Sequence, residues 1–297
     1  MGRFFSTKSA AKKCPSFFSH MQYKVARSSA PASYPPRVPL EPDASWESLP
    51  SDYDPVDFTD PSVLANAEDI VTGNKWADVE HPSLGVIGKR NSFITGKPSS
   101  LDIVATIDKK TKRFRNPGGP VGLSGRGLLG RYGPNHAADP IVTRVKRGRL
   151  QVVLVCRRDS NELALPGGMV DPGSTVTRTL KTEFTEEAAK PGGAVDRRFA
   201  EGERGVVYRG LVDDRRTTDH AWIETTAVHF HAPPDVADAL ELSVSDVNEV
   251  SSVNWYNVDT IKTLYASHKD WLDIFLKSKF EFASRSSTGP AYPFARR

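Results

Sequence analysis

The 297-residue sequence predicts an α/β chain, and two neighbouring stretches predict it. Gln151-Val152-Val153-Leu154-Val155-Cys156 is a β-branched run of the kind a buried strand needs, and Leu163-Ala164-Leu165 is a second, shorter one. Beyond a Gly167-Gly168 turn, Val176, Leu180 and Phe184 recur at i, i+4 and i+8, the spacing of one buried helix face. Strands are expected near 151–157, 205–212, 221–231 and 252–258, with a helix over 175–189 that Ser174 would cap. A closing helix follows Tyr265, in which Leu272, Phe275, Leu276 and Lys279 alternate as an amphipathic surface should.

Composition narrows the function classes. A chain that is 38% hydrophobic and 26% charged is ordinary for a globular protein, and no apolar run approaches the ~18 residues of a membrane span. The net charge of +4 hides an asymmetry: residues 1–40 hold seven basic and no acidic side chains, so the remainder is 33 − 36 = −3. Nucleic-acid binding calls for a basic face built into the fold, so no such partner is expected. Cys14 and Cys156 are the two cysteines, too few for a disulfide framework or a cysteine zinc site, and they imply a reducing compartment.

The chain divides by composition. Residues 1–22 are basic, Ser-rich and acid-free, which fits a mitochondrial transit peptide, with a cytosolic tail as the alternative and a loose myristoylation pattern at Gly2 and Ser6 behind both. Residues 23–127 read as a small N-terminal mixed α+β domain. Its Pro- and Asp-dense segment from Ser28 to Pro61 should wrap over something, short elements fall around Val63-Leu64-Ala65 and Ser100–Val104, and Trp76 and Phe93 are the expected packing anchors. The catalytic domain is expected over 128–283, followed by a disordered tail over 284–297. Gly125-Arg126-Gly127-Leu128-Leu129-Gly130 is a literal G-x-G-x-x-G, but no strong strand leads into it and Pro134 interrupts any helix beyond, so a dinucleotide fingerprint is rejected.

The chemistry concentrates in Glu183-Phe184-Thr185-Glu186-Glu187, whose three carboxylates stand at i, i+3 and i+4 and crowd one helix face. Each like-charged pair at this spacing costs roughly 0.2–0.5 kcal/mol. A divalent cation relieves that cost, and Mg²⁺ takes carboxylate oxygens while keeping waters and substrate phosphates. A bare acidic triplet is more often a solvated helix face. The glycine turn ahead of this one tips the balance, because Gly167 and Gly168 let backbone approach a ligand closely.

This strand, glycine loop and acidic helix resemble the signature box of the Nudix hydrolases, G-x5-E-x7-R-E-U-x-E-E-x-G-U, where U is aliphatic or aromatic. Aligned from Gly168, the chain matches at Glu183, Phe184, Glu186 and Glu187, and departs at Ser174, Thr182 and Ala189 in place of Glu, Arg and Gly. Three further segments, 127–141, 167–173 and 213–225, together with Leu264-Tyr265-Ala266-Ser267-His268, resemble the ADP-ribose pyrophosphatase branch of that family from about Tyr23 to Phe282. The resemblance implies an α/β/α sandwich with a mixed sheet, a monomer, and hydrolysis of ADP-ribose to AMP and ribose 5-phosphate with Mg²⁺, for which Mn²⁺ could substitute.

It also implies Glu183, Glu186 and Glu187 as catalytic metal ligands, and substrate contacts from Asn135, Leu165, Gly167, Gly168, Asp214, Arg216, Tyr265 and His268. The residue types are chemically apt, since Asp accepts from ribose hydroxyls, Arg pairs with phosphate in a bidentate manner, and Tyr supplies a flat face with a hydroxyl. Each also has a bland reading, such as Asn135 as a turn former and Asp214 with Arg216 as a surface pair. The general base stays open among Glu187, Asp219 and Glu224. Losing the arginine at 182 removes a group that steers a catalytic glutamate, so a working but slower enzyme is expected. Competing readings are a non-hydrolytic ADP-ribose sensor, as in the related domain fused to a cation channel, and a hydrolase of another nucleoside diphosphate derivative. His229 and His231 are read as one solvent face of a strand, and Trp222 and Trp255 as core more than as purine platforms.

Overall fold

The computed structural model describes residues 23–67, 76–80, 107–170, 174–190 and 204–285; the expected leader, Phe93, the element at Ser100–Val104 and residues 286–297 lie outside the described residues. The N-terminal part contributes α1 (Val25–Ser28), β1 (Asp57–Thr59), α2 (Pro61–Ala65) and β2 (Ser124–Gly127). Then come β3 (Gly133–Lys146), β4 (Arg149–Arg157), β5 (Leu163–Ala164), β6 (Gly168–Met169), α3 (Val176–Glu187), β7 (Arg204–Val212), β8 (Ala221–His231), α4 (Pro234–Ala239), β9 (Val250–Asn257) and α5 (His268–Arg285).

The main sheet has seven strands in the order β5-β4-β3-β8-β7, with β6 added to β3 and β9 to β4. Only β3 and β8 run parallel within it, so the sheet is mixed. Alternation along β4 splits the core between two layers. Val153 and Val155 pack with Leu180 and Phe184 of α3, whereas Val152 and Leu154 pack with Trp271, Leu272 and Phe275 of α5. The result is an α/β/α sandwich preceded by an α+β region. Phe184 and Leu272 are fully buried, so truncating Phe184 to Ala should cost about 3–5 kcal/mol.

The longest strand, β3, is missing from the strands that sequence patterning predicts. Its Pro140 falls between the residues paired to β6 (137–138) and those paired to β4 (143–146), where that edge forms no ladder and a missing N–H costs nothing. Three smaller expectations are corrected. Thr175, not Ser174, caps α3, its hydroxyl accepting from the Arg178 N–H at 3.2 Å. His229 is buried against Phe275, with ring centroids 4.1 Å apart, because α5 covers the β8 face read as solvent-exposed. Trp76 is 42% exposed and so is a weak anchor, although it seats against Gly130. The closing helix also continues into the first two residues of the expected tail, Ser284 and Arg285.

The segment before β1 lies across the rest of the chain. Val38 donates its N–H to Gly122 O at 2.8 Å, Tyr23 donates to Asn116 Oδ1 at 2.9 Å, and Arg27 reaches the carbonyls of Pro120 and Ala44. The G-x-G-x-x-G glycines serve this packing. A Cβ on Gly125 would lie 2.2 Å from Phe58 O, so glycine at φ +85° lets β2 sit in register beside β1.

Candidate active site

A cavity of about 560 Å³ opens where the 167–168 turn meets α3, the 213–217 loop and the start of α5. The strand and helix geometry explains why. Strand β6 pairs Gly168 with Ala138 of β3, which places the glycines over the carboxylate face of α3. A Cβ on Gly168 would sit 2.4 Å from Glu183 Oε1, and one on Gly167 would sit 2.3 Å from Asp139 Oδ1, so any side chain at either position would occupy space the acids need. Gly167 donates its N–H to Glu187 Oε2 at 2.9 Å. In a chain with Thr182 where the Nudix box has arginine, a backbone donor orients this carboxylate.

Burial raises the Glu183 and Glu187 carboxyls to about 8 each, and the nearby charges of Glu187 and Glu186 (for Glu183) and of Glu249 (for both) push the same way. Glu186 is exposed on the last turn of α3. Its carbonyl accepts the N–H groups of Ser245 and Asp246 at 2.8 and 3.0 Å, and that anchor brings Asp246 and Glu249 to the cavity.

The other side of the cavity is balanced. Arg216 forks onto Asp214, Nε to Oδ1 and Nη2 to Oδ2 at 2.9 Å each, and Tyr265 donates its hydroxyl to Asp214 Oδ2 at 3.1 Å. Burial alone would raise the Asp214 carboxyl, but the Arg216 charge and these hydrogen bonds hold it at about 2. Arg157 covers the Tyr265 ring at 4.4 Å and is itself fixed by Asp159 at 3.0 Å. His268 Nδ1 accepts the Leu165 N–H at 2.9 Å, which leaves its proton on Nε2, 3.9 Å from Asp139 Oδ1. Burial lowers that imidazole to about 3, so it is neutral at physiological pH.

Of the residues expected to bind substrate or metal, Gly167, Gly168, Glu183, Glu186, Glu187, Asp214, Arg216, Tyr265 and His268 line this cavity together. Asn135 and Leu165 are not among the lining residues. The Asn135 amide is consumed by Arg131 N–H and by the carbonyls of Arg131, Gly133 and Trp222, which braces the entry to β3, and Leu165 is buried in the α5-side core. The two alternative bases also lie elsewhere: Asp219 accepts from Tyr53 Oη and Val121 N–H, and Glu224 accepts the Trp222 indole N–H at 2.9 Å.

Sequence reasoning missed Asp139, Arg157 and Glu249. Asp139 is buried, bonded to the Thr225 hydroxyl, and raised by burial to about 7. Its signal is present as one acid inside Ala137-Ala138-Asp139-Pro140-Ile141-Val142, since a charge set in a buried run needs a reason.

The comparisons with known proteins agree with this geometry. Residues 38–133 match the NUDT9-like N-terminal domain, and residues 134–275 match the NUDIX domain. The chain is 41% identical over 239 residues to a Caenorhabditis elegans protein named as a nudix hydrolase, number 6, which spans 78% of this chain and 87% of that one. It is 38% identical over 268 residues to the mitochondrial ADP-ribose pyrophosphatase of Rattus norvegicus, spanning 82% and 73%. It is also 35% identical over 286 residues to a Nematostella vectensis transient receptor potential cation channel, subfamily M member-like 2, spanning 87% of this chain but 18% of the channel. The chain belongs to the Nudix hydrolases, in the group that joins a NUDT9-like N-terminal domain to the Nudix fold, and it is a Nudix-type hydrolase. Among the described residues no helix is long and apolar enough to cross a membrane.

The donor chemistry of the acidic face fits a hard divalent cation. All its side-chain donors are carboxylate oxygens, and Glu183 and Glu187 are held above their ordinary range first by burial and then by neighbouring carboxylates, a state that bound positive charge relieves. Among the described residues no group of three or more His, Cys, Asp or Glu side chains is drawn together closely enough to hold a metal ion by itself.

Proposed function

We propose that this chain hydrolyses the diphosphate of ADP-ribose to AMP and ribose 5-phosphate with Mg²⁺, Mn²⁺ serving as a substitute. The observation that supports it most is the pairing, around one cavity, of an unbalanced carboxylate face with a preformed Asp214–Arg216–Tyr265 cluster. The first suits a cation and the diphosphate it neutralises, and the second suits the sugar and phosphate oxygens of the same molecule. The relative named as an ADP-ribose pyrophosphatase supports the choice of substrate. When bound, the cation would supply charge neutralisation at the phosphates and acidify a water.

Glu183, Glu186 and Glu187 would hold that cation, with the Gly167 N–H keeping Glu187 in place. Arg216 would offer its remaining donors to a phosphate or ribose oxygen while Asp214 fixes its plane, and Tyr265 would present its ring and hydroxyl. Neutral His268 would direct its Nε2–H toward Asp139 and the cavity wall, adding no positive charge to the site. Mitochondrial residence fits the basic N-terminus and the name of the rat relative, with the cytoplasm as the alternative, and the active unit is proposed to be a monomer. Incubating the pure chain with ADP-ribose and Mg²⁺ should release AMP and ribose 5-phosphate in equal amounts; folded protein that releases neither is inconsistent with the proposal.

Thr182 and Ser174 favour a second reading, a sensor that binds ADP-ribose without turnover. Calorimetry separates the two: a saturating isotherm and intact nucleotide afterwards point to the sensor, whereas continuing heat points to the hydrolase.

A further inference from the structure

The loop that shapes the Asp214–Arg216 fork is held from outside by the N-terminal segment. Three successive carbonyls of the loop accept from two side chains of that segment. Arg37 Nη2 donates to Arg215 O at 2.8 Å and to Thr217 O at 2.9 Å, and the Tyr34 hydroxyl donates to Arg216 O at 2.8 Å. Both side chains are anchored in turn. The Tyr34 oxygen accepts the Leu128 N–H at 2.7 Å, Arg37 Nη1 donates to Val121 O at 3.2 Å, and the Arg37 guanidinium lies 5.6 Å from the Tyr34 ring centre.

The first residue of the loop is held by the same segment. Asp213 accepts the backbone N–H groups of Lys24, Val25 and Ala26 at 2.8, 2.8 and 2.9 Å. From within the loop come the turn bond from Thr217 N–H to Asp214 O at 3.0 Å and the Arg216 N–H to Asp214 Oδ1 at 2.8 Å. These local bonds close the turn, and the N-terminal segment bonds its carbonyls and its first side chain from outside.

From this arrangement we infer that Tyr34 and Arg37 are positioning residues for substrate, acting through the carbonyls of residues 215–217. The inference rests on the ADP-ribose reading and deepens it: the part of the cavity that recognises the sugar–phosphate portion takes its geometry from residues about 180 positions away. The chemistry is specific to the side chains present. The planar guanidinium bonds the two loop carbonyls through Nη2 while Nη1 bonds Val121 O, an arrangement the single nitrogen of lysine does not reproduce, and a phenylalanine at 34 leaves the Arg216 carbonyl and the Leu128 N–H without their shared partner.

The test uses the full chain and four variants: Tyr34→Phe, Arg37→Lys, Arg37→Met, and Trp46→Phe as a control. The last removes an N-terminal hydrogen bond, Trp46 Nε1 to Asn116 O at 2.8 Å, whose partner Asn116 bonds Thr218 and Asp219, beyond the 213–217 loop. Kinetics with ADP-ribose and amide exchange over residues 213–217 are measured on each. Tyr34→Phe and Arg37→Lys should raise KM about five- to tenfold with kcat within about twofold, the size expected when one or two hydrogen bonds that set binding geometry are lost. Arg37→Met should raise KM further than Arg37→Lys, and all three should quicken exchange in the loop, whereas Trp46→Phe leaves both readouts at the parent values. Parent KM in Tyr34→Phe and Arg37→Met, or a fall in kcat alone with KM unmoved, overturns the inference. If the parent chain does not cleave ADP-ribose, the substrate reading fails by itself, and loop exchange still decides: faster in the Tyr34 and Arg37 variants supports the positioning role, unchanged refutes it.

Discussion

The acidic face of α3 and the 213–217 loop line one cavity and treat buried charge in opposite ways. On α3, Glu183 and Glu187 have no cationic fork, and burial, with repulsion from neighbouring carboxylates that include Glu249 and Asp139, raises both to about 8. In the loop, Asp214 is more deeply buried yet is held at about 2, because Arg216 grips both its oxygens with its side chain, adds its backbone N–H, and Tyr265 supplies a fourth bond. One half is finished by the chain itself, and the other waits for charge from outside. The proposed cation site differs in this way from the proposed recognition site, and the difference can be measured.

The largest effect should come from the unfinished half. Changing Glu186→Gln together with Glu187→Gln keeps the shapes and removes the charges, so AMP release should fall by about 100-fold or more while the melting temperature holds or rises. Near-parent turnover would move the catalytic acids elsewhere. Arg216→Ala tests the finished half and should act on stability. It strands the Asp214 carboxylate, and denaturant unfolding should report a loss of about 2–3 kcal/mol, below the value for a fully enclosed pair because the Arg216 side chain is 31% exposed. A loss as small as a surface pair shows would put the two halves on the same footing.

Mg²⁺ sharpens the comparison further. At ten times its dissociation constant it should stabilise the parent against heat by about 1.4 kcal/mol, and the paired glutamine variant by much less. Equal stabilisation of both proteins would place the ion away from α3. The last effect concerns acid. Since the Asp214 pKa is depressed from 3.8 to about 2 in the folded chain, its contribution is fully present above pH 3.8 and is lost as pH falls toward 2. Unfolding measured across that window should be steeper in the parent than in Asp214→Asn, and coincident slopes would contradict the pairing.

What the sequence discloses follows the strength of local periodicity. The β4 run and the Val176–Leu180–Phe184 stripe are long, regular and buried as expected, so the strand, the turn and the acidic helix are legible without coordinates. Strand β3 is not, because Gly133, Pro134 and Pro140 spell a loop locally, and their tolerance depends on which neighbours leave an edge unpaired. Asp139 disappears with it. His229 is misread because β8 alternation says which residues share a face, but not that α5 covers that face. Asn135 and Leu165 sit close to the cavity in sequence terms, yet their hydrogen bonds and packing go to the scaffold, a distinction that residue type alone does not contain.

The bonds from Asp213 to Lys24, Val25 and Ala26 join positions up to 189 residues apart. Contacts of such long range close late, after the entropy of the intervening loop has been spent, whereas α3 and its strands can assemble from neighbours. The hold of the N-terminal segment on this loop should therefore be among the last features to form as the chain matures. A polypeptide still lacking that closure would already display its cluster of acids but not the fixed loop proposed to receive the substrate's sugar and phosphate oxygens, so on that proposal selectivity would arrive only with the completed fold.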